Sequence, residues 1–231
     1  MITDRRSGVV MNALDMFSGK GGWASAFRAR GHHVVTTDLG PQFECDVTGD
    51  ILDDEVVDRI LALGPYDVVL ASPPCEGFSV MNIGKNWTPP PDNQPKTETA
   101  RMGVRLVERT LEVIRRIVPA VYIIENPRAK LRKLPVMDGI ERRTVTYCQY
   151  GHRTMKPTDL WGGFPPTLEL HPICKNGAPC HDPAPRGSKQ GVQGIATSAD
   201  RALVPYALSE QVCIACEEYL AGADEVGWRL F

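Results

Sequence analysis

Four short runs of apolar and β-branched residues, each separated from the next by a helical pattern, constrain this chain most. They are "NALDMF" (12–17), "HVVTTDL" (33–39), "YDVVLASPP" (66–74) and "AVYIIENP" (120–127). The third is apolar without alternation, as expected of a strand covered on both faces. Between the runs lie "GKGGWASAFRARG" (19–31), a glycine turn leading into a helix that stops at Gly31, and "DDEVVDRILALG" (53–64), with an acidic first turn and a glycine stop. "TETARMGVRLVERTLEVIRRIVP" (97–119) reads as a long amphipathic helix. Strands alternating with helices imply a doubly wound, mostly parallel α/β sheet of Rossmann-like type, with helices on both faces. Ligands of such sheets sit at the carboxyl ends of the strands.

The chain has 231 residues, which suits one domain or one domain with a small appendage. A catalytic and cofactor-binding unit is expected over 1–161. A Pro-, Gly- and Cys-rich insert follows over 162–195, and a helical segment over 196–231 returns to the first unit. Residues 81–98, "MNIGKNWTPPPDNQPKTE", read as a long irregular loop of the kind that often forms a mobile lid. No run of 18 apolar residues exists, so no membrane-spanning helix is expected, and nothing at the N-terminus reads as a secretory signal; the expectation is a cytoplasmic monomer. A net charge of −2 argues against sequence-blind binding driven by phosphates alone, while leaving room for a local cationic groove.

Glycines 19, 21 and 22 in "LDMFSGKGG" sit between a strand and a helix. They allow a tight turn and close approach of a ligand, and the helix N-terminus behind them favours an anionic group. Read alone, the turn is either a nucleoside-cofactor cradle or a plain tight turn. Asp38 ends the next strand, as a ribose-binding carboxylate or a strand-end turn former. Asp46 in "ECDVTGD" is the candidate for an adenine amino group, with Asp50 competing.

Pro73 and Pro74 stiffen the end of the third strand and present Cys75 at the ligand edge of the sheet. A nucleophilic thiol needs a partner to handle charge, and Glu125 at the end of the fourth strand is the candidate. An acidic residue in an apolar strand suggests a protonated or shared carboxyl, suited to donating a proton. The bland alternative is a buried cysteine beside a strand-terminal glutamate.

Taken together, these segments resemble the cytosine-5 DNA methyltransferases. "LDMFSGKGGW" is similar to their first motif, "ASPPCEGFS" to the motif carrying a Pro-Cys nucleophile, and "ENP" (125–127) to their Glu-Asn-Val. "DRALVPYALSEQV" (200–212) sits where the last motif covers the cofactor. The resemblance implies S-adenosylmethionine bound by Phe17, Ser18, Gly19, Gly21, Gly22, Trp23, Asp38, Leu39, Asp46, Val47 and Pro73. It implies double-stranded DNA as partner, with the target cytosine flipped out of the stack. Cys75 would attack carbon 6, Glu125 would hold and protonate ring nitrogen 3, and Asn126 would orient the loop around Cys75. Carbon 5 would take the methyl group, and loss of its proton would expel the thiol. DNA methylation, including that of restriction–modification systems, is the expected setting.

Two departures from the family pattern stand out. Thr154, Lys156 and Thr158 occupy the positions of a Gln-x-Arg-x-Arg motif, so Lys156 replaces the arginine expected on the cytosine carbonyl, with Arg153 nearby. Glu76 replaces a common glutamine. The region left for target recognition is short, and Ser79, Arg153, Arg186, Ser188, Lys189 and Gln193 are the candidate nucleic-acid contacts, against a solvated loop. The rival readings are the same chemistry on RNA or with a modified donor, and a non-catalytic DNA or cofactor binder.

Seven cysteines, an odd number, argue against a disulfide framework. "HPICKNGAPCH" offers Cys174, Cys180 and His181, with Cys148 and His152 upstream. Zinc wants four such ligands, Cys-x5-Cys-His is not a standard finger spacing, and the fourth ligand is unassigned, so no metal is the expectation, with a structural zinc drawing on Cys148, Cys174, Cys180 and His181 as the alternative. Cys213 and Cys216 lie in an apolar helical pattern and read as core.

Overall fold

A computed structural model of the chain describes residues 8–183 and 198–225. One seven-stranded sheet organises it: β1 (Asn12–Met16), β2 (His33–Asp38), β3 (Val47–Thr48), β4 (Val68–Ala71), β5 (Val121–Pro127), β6 (Arg142–Thr146) and β7 (Pro157–Gly163). The spatial order is β3-β2-β1-β4-β5-β7-β6, with β7 antiparallel to both neighbours and the pairings from β3 through β5 all parallel. The expected doubly wound, mostly parallel sheet of Rossmann-like type is the one observed. The order reverses direction at β1, and ligands of such sheets bind at the carboxyl ends beside that point.

Helices α1 (Gly22–Ala29), α2 (Asp54–Ala62), α3 (Ile83–Asn86), α4 (Glu98–Ile117), α5 (Ser198–Ala202) and α6 (Tyr206–Glu225) complete the described residues. Because side chains alternate along a strand, each central strand feeds two cores. Val69 and Ala71 of β4 pack with Val57, Ile60, Val107 and Ile114 of α2 and α4. Val68 and Leu70 pack on the opposite face with Trp23, Phe27, Leu208 and Val212 of α1 and α6. This double burial is why the strand runs lack polar alternation. The helix ends follow local chemistry. Asp53 accepts from the Glu55 amide at 3.0 Å to open α2, and Thr97 accepts from the Ala100 amide at 3.3 Å to open α4.

The antiparallel hairpin β6–β7 was not anticipated from the sequence. "RRTVT" and "PTDLWGG" are short, and β7 crosses the expected boundary at 161/162. Its pairing with β5 relies on Gly162, where a Cβ would lie 1.8 Å from the Tyr122 carbonyl oxygen.

The loop after Cys75 also departs from expectation. It folds into a 3-10 turn (Val80–Asn82) and α3, and it is anchored from inside. Trp87 is 2% exposed, donates from Nε1 to the Gly77 carbonyl at 2.7 Å, and stacks on Phe78. Buried Asn86 donates to the same carbonyl at 3.2 Å. An indole and an amide closed over backbone carbonyls make this a packed wall behind the nucleophile rather than a free lid.

The C-terminal segment closes over the glycine turn. Lys20 meets Asp200 at 2.6 Å, and Ser209 donates to the Trp23 carbonyl at 2.6 Å. A Cβ on Gly22 would lie 2.7 Å from the Val204 amide nitrogen, a backbone atom with little freedom to move. Gly22→Ala is therefore expected to cost about 1–3 kcal/mol through overpacking. The thermal unfolding midpoint checks this, and an unchanged midpoint would show that α5 and α6 do not press on the turn.

Candidate active site at the carboxyl edge of the sheet

β4 and β5 pair in register from Val68↔Val121 to Ala71↔Ile124. Extending that register by one residue sets Glu125 beside Ser72, just before the Pro-Pro-Cys turn. Asn126, fully buried, donates from Nδ2 to the Pro73 carbonyl at 2.8 Å. That bond ties the proline turn to the end of β5 and holds Cys75 on the Glu125 side. The turn closes on itself where Phe78 and Ser79 amides both donate to the Cys75 carbonyl at 2.9 Å.

Glu125 is 4% exposed and accepts from the Tyr147 hydroxyl at 2.9 Å. Tyr147 follows β6, is fully buried, and was not singled out in the sequence. Its signal there is only a tyrosine after a β-branched run. Lys156 opens the approach to β7 with φ +31°, a left-handed conformation that costs a non-glycine residue energy. Its Nζ lies 4.3 Å from the Tyr147 ring centroid. Four groups at or just beyond the ends of β4, β5, β6 and β7 thus converge on one place.

The electrostatics follow from the convergence. Burial pushes the Cys75 thiol up, Glu125 adds to the rise, and Lys156 pulls it down. Burial lowers Lys156, while Glu125 and Cys75 act to restore its charge. Burial and then Glu125 hold the Tyr147 hydroxyl well above its ordinary value, so it stays a donor. The thiol therefore rests protonated at neutral pH, with one cation close enough to favour thiolate.

At β1 the backbone turns through Phe17 (φ +59°), Gly19 (φ +51°) and Gly21 (φ +73°). The Gly21 amide donates to the Ser18 carbonyl at 2.8 Å. A Cβ on Gly19 would meet nothing within 4 Å, so the space beside it is open. Asp38 accepts from the Gly19 amide at 3.0 Å and the Gly40 amide at 2.9 Å, joining the ends of β1 and β2. A carboxylate has about four acceptor positions, so two remain for hydroxyl groups. Leu39, 65% exposed, places an apolar side chain next to it. Pro73 lines the neighbouring strand end. These residues fit an adenosyl group with an anionic tail.

Other expected cofactor residues also make contacts within the scaffold. Trp23 is 1% exposed and donates to the Ser72 hydroxyl at 3.1 Å, so its indole supports the turn from beneath. Val47 is buried in the α2 core. Asp46 accepts through Oδ2 from the Thr36 amide at 2.8 Å and hydroxyl at 2.7 Å, fastening β3 to β2. Asp50, its competitor, accepts from the Leu52 amide at 2.9 Å in the turn before α2. Ser18 shares its hydroxyl with the Cys45 thiol at 3.3 Å. Sequence reasoning missed Asp15. It is 1% exposed, accepts from the Ala24 amide in the first turn of α1 at 3.0 Å, and burial raises it to about 7.

Arg153 does not reach the nucleophile. It is exposed and ion-paired with Asp182. Ser79 opens the 3-10 turn beside Cys75. Arg186, Ser188, Lys189 and Gln193 lie outside the described residues. Cys213 and Cys216 are fully buried in the core between α6 and α1. Cys148, Cys174, Cys180 and His181 do come together, with Cys148 next to Tyr147 in the turn after β6.

No family model matches the chain. A probable DNA (cytosine-5)-methyltransferase of Frog virus 3 (isolate Goorha) is 32% identical over 175 residues, covering 72% of this chain and 78% of that protein. The chain belongs to the cytosine-5 DNA methyltransferase family. The type II methyltransferase M1.HphI of Haemophilus parahaemolyticus is 27% identical over 128 residues, covering 49% of this chain and 31% of that protein. Among solved structures, the Entamoeba histolytica methyltransferase EhMeth is 15% identical with a TM-score of 0.47, covering 72% of this chain and 57% of that one. The S. pombe Dnmt2 methyltransferase is 16% identical with a TM-score of 0.41, covering 67% and 49%.

The raised thiol yields a pH prediction for this member of the family. Alkylation of Cys75 needs thiolate, so its rate should climb with pH from neutral into the alkaline range. Lys156→Met removes a cation that pulls the thiol down, and should move the alkylation midpoint further up. Mass-spectrometric counting of iodoacetamide adducts at Cys75 across pH measures both. A midpoint unmoved by Lys156→Met would separate that lysine from the thiol.

Proposed function

We propose that this chain is an S-adenosylmethionine-dependent DNA cytosine-5 methyltransferase in which Cys75 is the nucleophile. The observation that carries the reading is the placement of Cys75 and buried Glu125 at the ends of adjacent, in-register strands, joined by the Asn126–Pro73 hydrogen bond. The seven cysteines are free, which fits a reducing compartment such as the cytoplasm.

Gly19, Gly21 and the open space above them would take the methionine part of the donor, Asp38 the ribose, and Leu39 the adenine face. When bound, S-adenosylmethionine supplies an electrophilic methyl carbon. A cytosine inside a duplex is closed off by its neighbours, so it reaches Cys75 only when turned out of the stack. Cys75 Sγ then bonds to carbon 6 and breaks the 5,6 double bond. Glu125, fixed by Tyr147, hydrogen-bonds ring nitrogen 3 and stabilises the electrons pushed into the ring. Lys156 stands by both and favours the thiolate. Asn126 keeps the sulfur on the Glu125 side throughout. After methylation, loss of the carbon-5 proton restores the double bond and expels the thiol.

Lys156 has a point charge in place of a planar fork, so it can hold one acceptor atom but not a two-pronged pair. Cytosine recognition here rests correspondingly more on Glu125 and Tyr147.

Duplex DNA carrying 5-fluorocytosine tests the reading, because fluorine at carbon 5 cannot leave as a proton and the thiol stays bonded. With S-adenosylmethionine present, a denaturation-resistant adduct is expected for the native chain and none for Cys75→Ala. Glu125→Gln should slow adduct formation by roughly 10²–10⁴-fold. Adducts on single-stranded RNA but not on duplex DNA would transfer the same chemistry to another nucleic acid. Absence of adducts on either, with DNA and donor bound, would leave a non-catalytic binder.

A further inference from the structure

Four metal-binding side chains meet where the sequence left them apart. Cys148 lies in the 3-10 turn Tyr147–Tyr150 after β6, while Cys174, Cys180 and His181 lie on the loop after β7. The Cys174 and Cys180 sulfurs are 3.2 Å apart, and those of Cys180 and Cys148 are 3.7 Å apart. His181 Nδ1 is 3.5 Å from the Cys174 sulfur and 3.6 Å from the Cys180 sulfur. All four ligand atoms lie within 4.8 Å of one another.

We propose that Cys148, Cys174, Cys180 and His181 form a tetrahedral zinc site that staples the loop after β7 to the active-site wall. Zinc bonds to sulfur at about 2.3 Å and to nitrogen at about 2.0–2.1 Å, so the edges of its tetrahedron are about 3.8 Å between sulfurs and about 3.6 Å between sulfur and nitrogen. Three of the four separations fall within about 0.1 Å of those edges, and the Cys174–Cys180 pair needs only a small opening. Three thiolates and one imidazole form a closed, structural donor set with no position left for water.

The surroundings hold the ligands in place before any metal arrives. The Cys174 amide donates to the Thr146 hydroxyl at 2.8 Å. His171 stacks on Tyr150 with ring centroids 4.7 Å apart and bonds the Gln149 carbonyl through Nδ1 at 2.9 Å. The Asp182 amide donates to the Arg153 carbonyl at 3.0 Å. Gln149 Nε2 donates to the Cys180 sulfur at 3.3 Å, the kind of outer contact that steadies a thiolate. A ligand His181 would bind through Nδ1 and carry its proton on Nε2, which is buried without a partner among the described residues.

The location explains what a metal would do. No helix or strand covers residues 164–183, and irregular segments without a core of their own gain most from a staple. Cys148 is the residue after Tyr147, the donor to Glu125. Zinc at this point would fix the Tyr147 turn and the loop after β7 as one unit, a structural role distinct from the methyl-transfer chemistry.

Purified full-length chain from zinc-supplemented culture should contain about one zinc per chain by plasma mass spectrometry, retained through dialysis against zinc-free buffer. Exchange with cobalt(II) should give thiolate-to-cobalt charge transfer and the intense d–d bands of a tetrahedral site. Cys174→Ser and Cys180→Ser should each retain less than about a tenth of the metal, whereas Cys213→Ser, outside the cluster, should retain it all. If the serine variants do not fold, titrating native protein with a mercurial and counting released zinc gives the same stoichiometry. A zinc-free preparation with a featureless cobalt spectrum would overturn the site. So would a Cys174–Cys180 disulfide in protein purified under reducing conditions.

Discussion

The register between β4 and β5 is the constraint on which the site depends. Parallel strands have no tight turn to fix their alignment, and here α4 spans the crossover between them. What sets the alignment is burial on both faces. Val68, Leu70, Val121 and Ile123 enter one core, and Val69, Ala71 and Ile124 enter the other. A slip of one residue would exchange the two sets and bring Glu125 to the wrong core. The Asn126–Pro73 hydrogen bond then acts on an alignment already chosen by packing. Placing an amide donor in full burial is costly unless it is matched, so that one bond specifies the position of the proline turn as well as stabilising it. The geometry of sulfur and carboxyl is thus inherited from two hydrophobic cores that never touch a substrate.

The charges at that edge are arranged against folding stability. A thiol, a carboxyl group, an ammonium group and a phenol share a space from which water is largely excluded, where each acts on the others more strongly than at the surface. Burial opposes the charged form of the lysine and the thiol alike, and each favours the charge of the other. Such a set answers strongly to whatever enters it. A base that occupies the hydrogen-bonding face of Glu125 changes the field at Cys75 and Lys156 together. The left-handed backbone at Lys156 belongs to the same arrangement, because it aims the ammonium group at Tyr147 and not into solvent.

Much of this was legible in the sequence because it is local. Apolar runs without alternation marked β1, β4 and β5, the glycines marked the turn, and Pro-Pro-Cys with Glu-Asn marked the two strand ends. What escaped was carried by contacts between distant segments. The β6–β7 hairpin has short strands and no compact turn signal, so its identity comes from β5 completing it. Trp87 looked like part of a polar loop because nothing nearby shows that Gly77 offers its carbonyl. The partners that Asp46 and Trp23 have within the chain, Thr36 and Ser72, were not visible in the motif either. The cysteine spacing left its fourth member open for the same reason, since Cys148 reaches the others only through the hairpin.

The glycine turn shows how far such a long-range contact reaches. Its shape depends on the end of the chain, because α6 packs on α1 and the segment before it presses on Gly22. Glu217 of α6 accepts from Arg30 at 2.8 and 2.7 Å and meets His32 at 2.8 Å, just after α1. Arg30 and His32 hold that carboxylate below its ordinary range in spite of burial, so this junction is strongest where Glu217 is ionised. Asp15 meets the first turn of α1 from the opposite side, through the Ala24 amide. The helix behind the glycine turn is therefore fixed at both ends by acidic side chains from other elements. A loop built on glycine for close approach would otherwise be the most flexible part of the sheet edge, and its order comes from α1 being held in place.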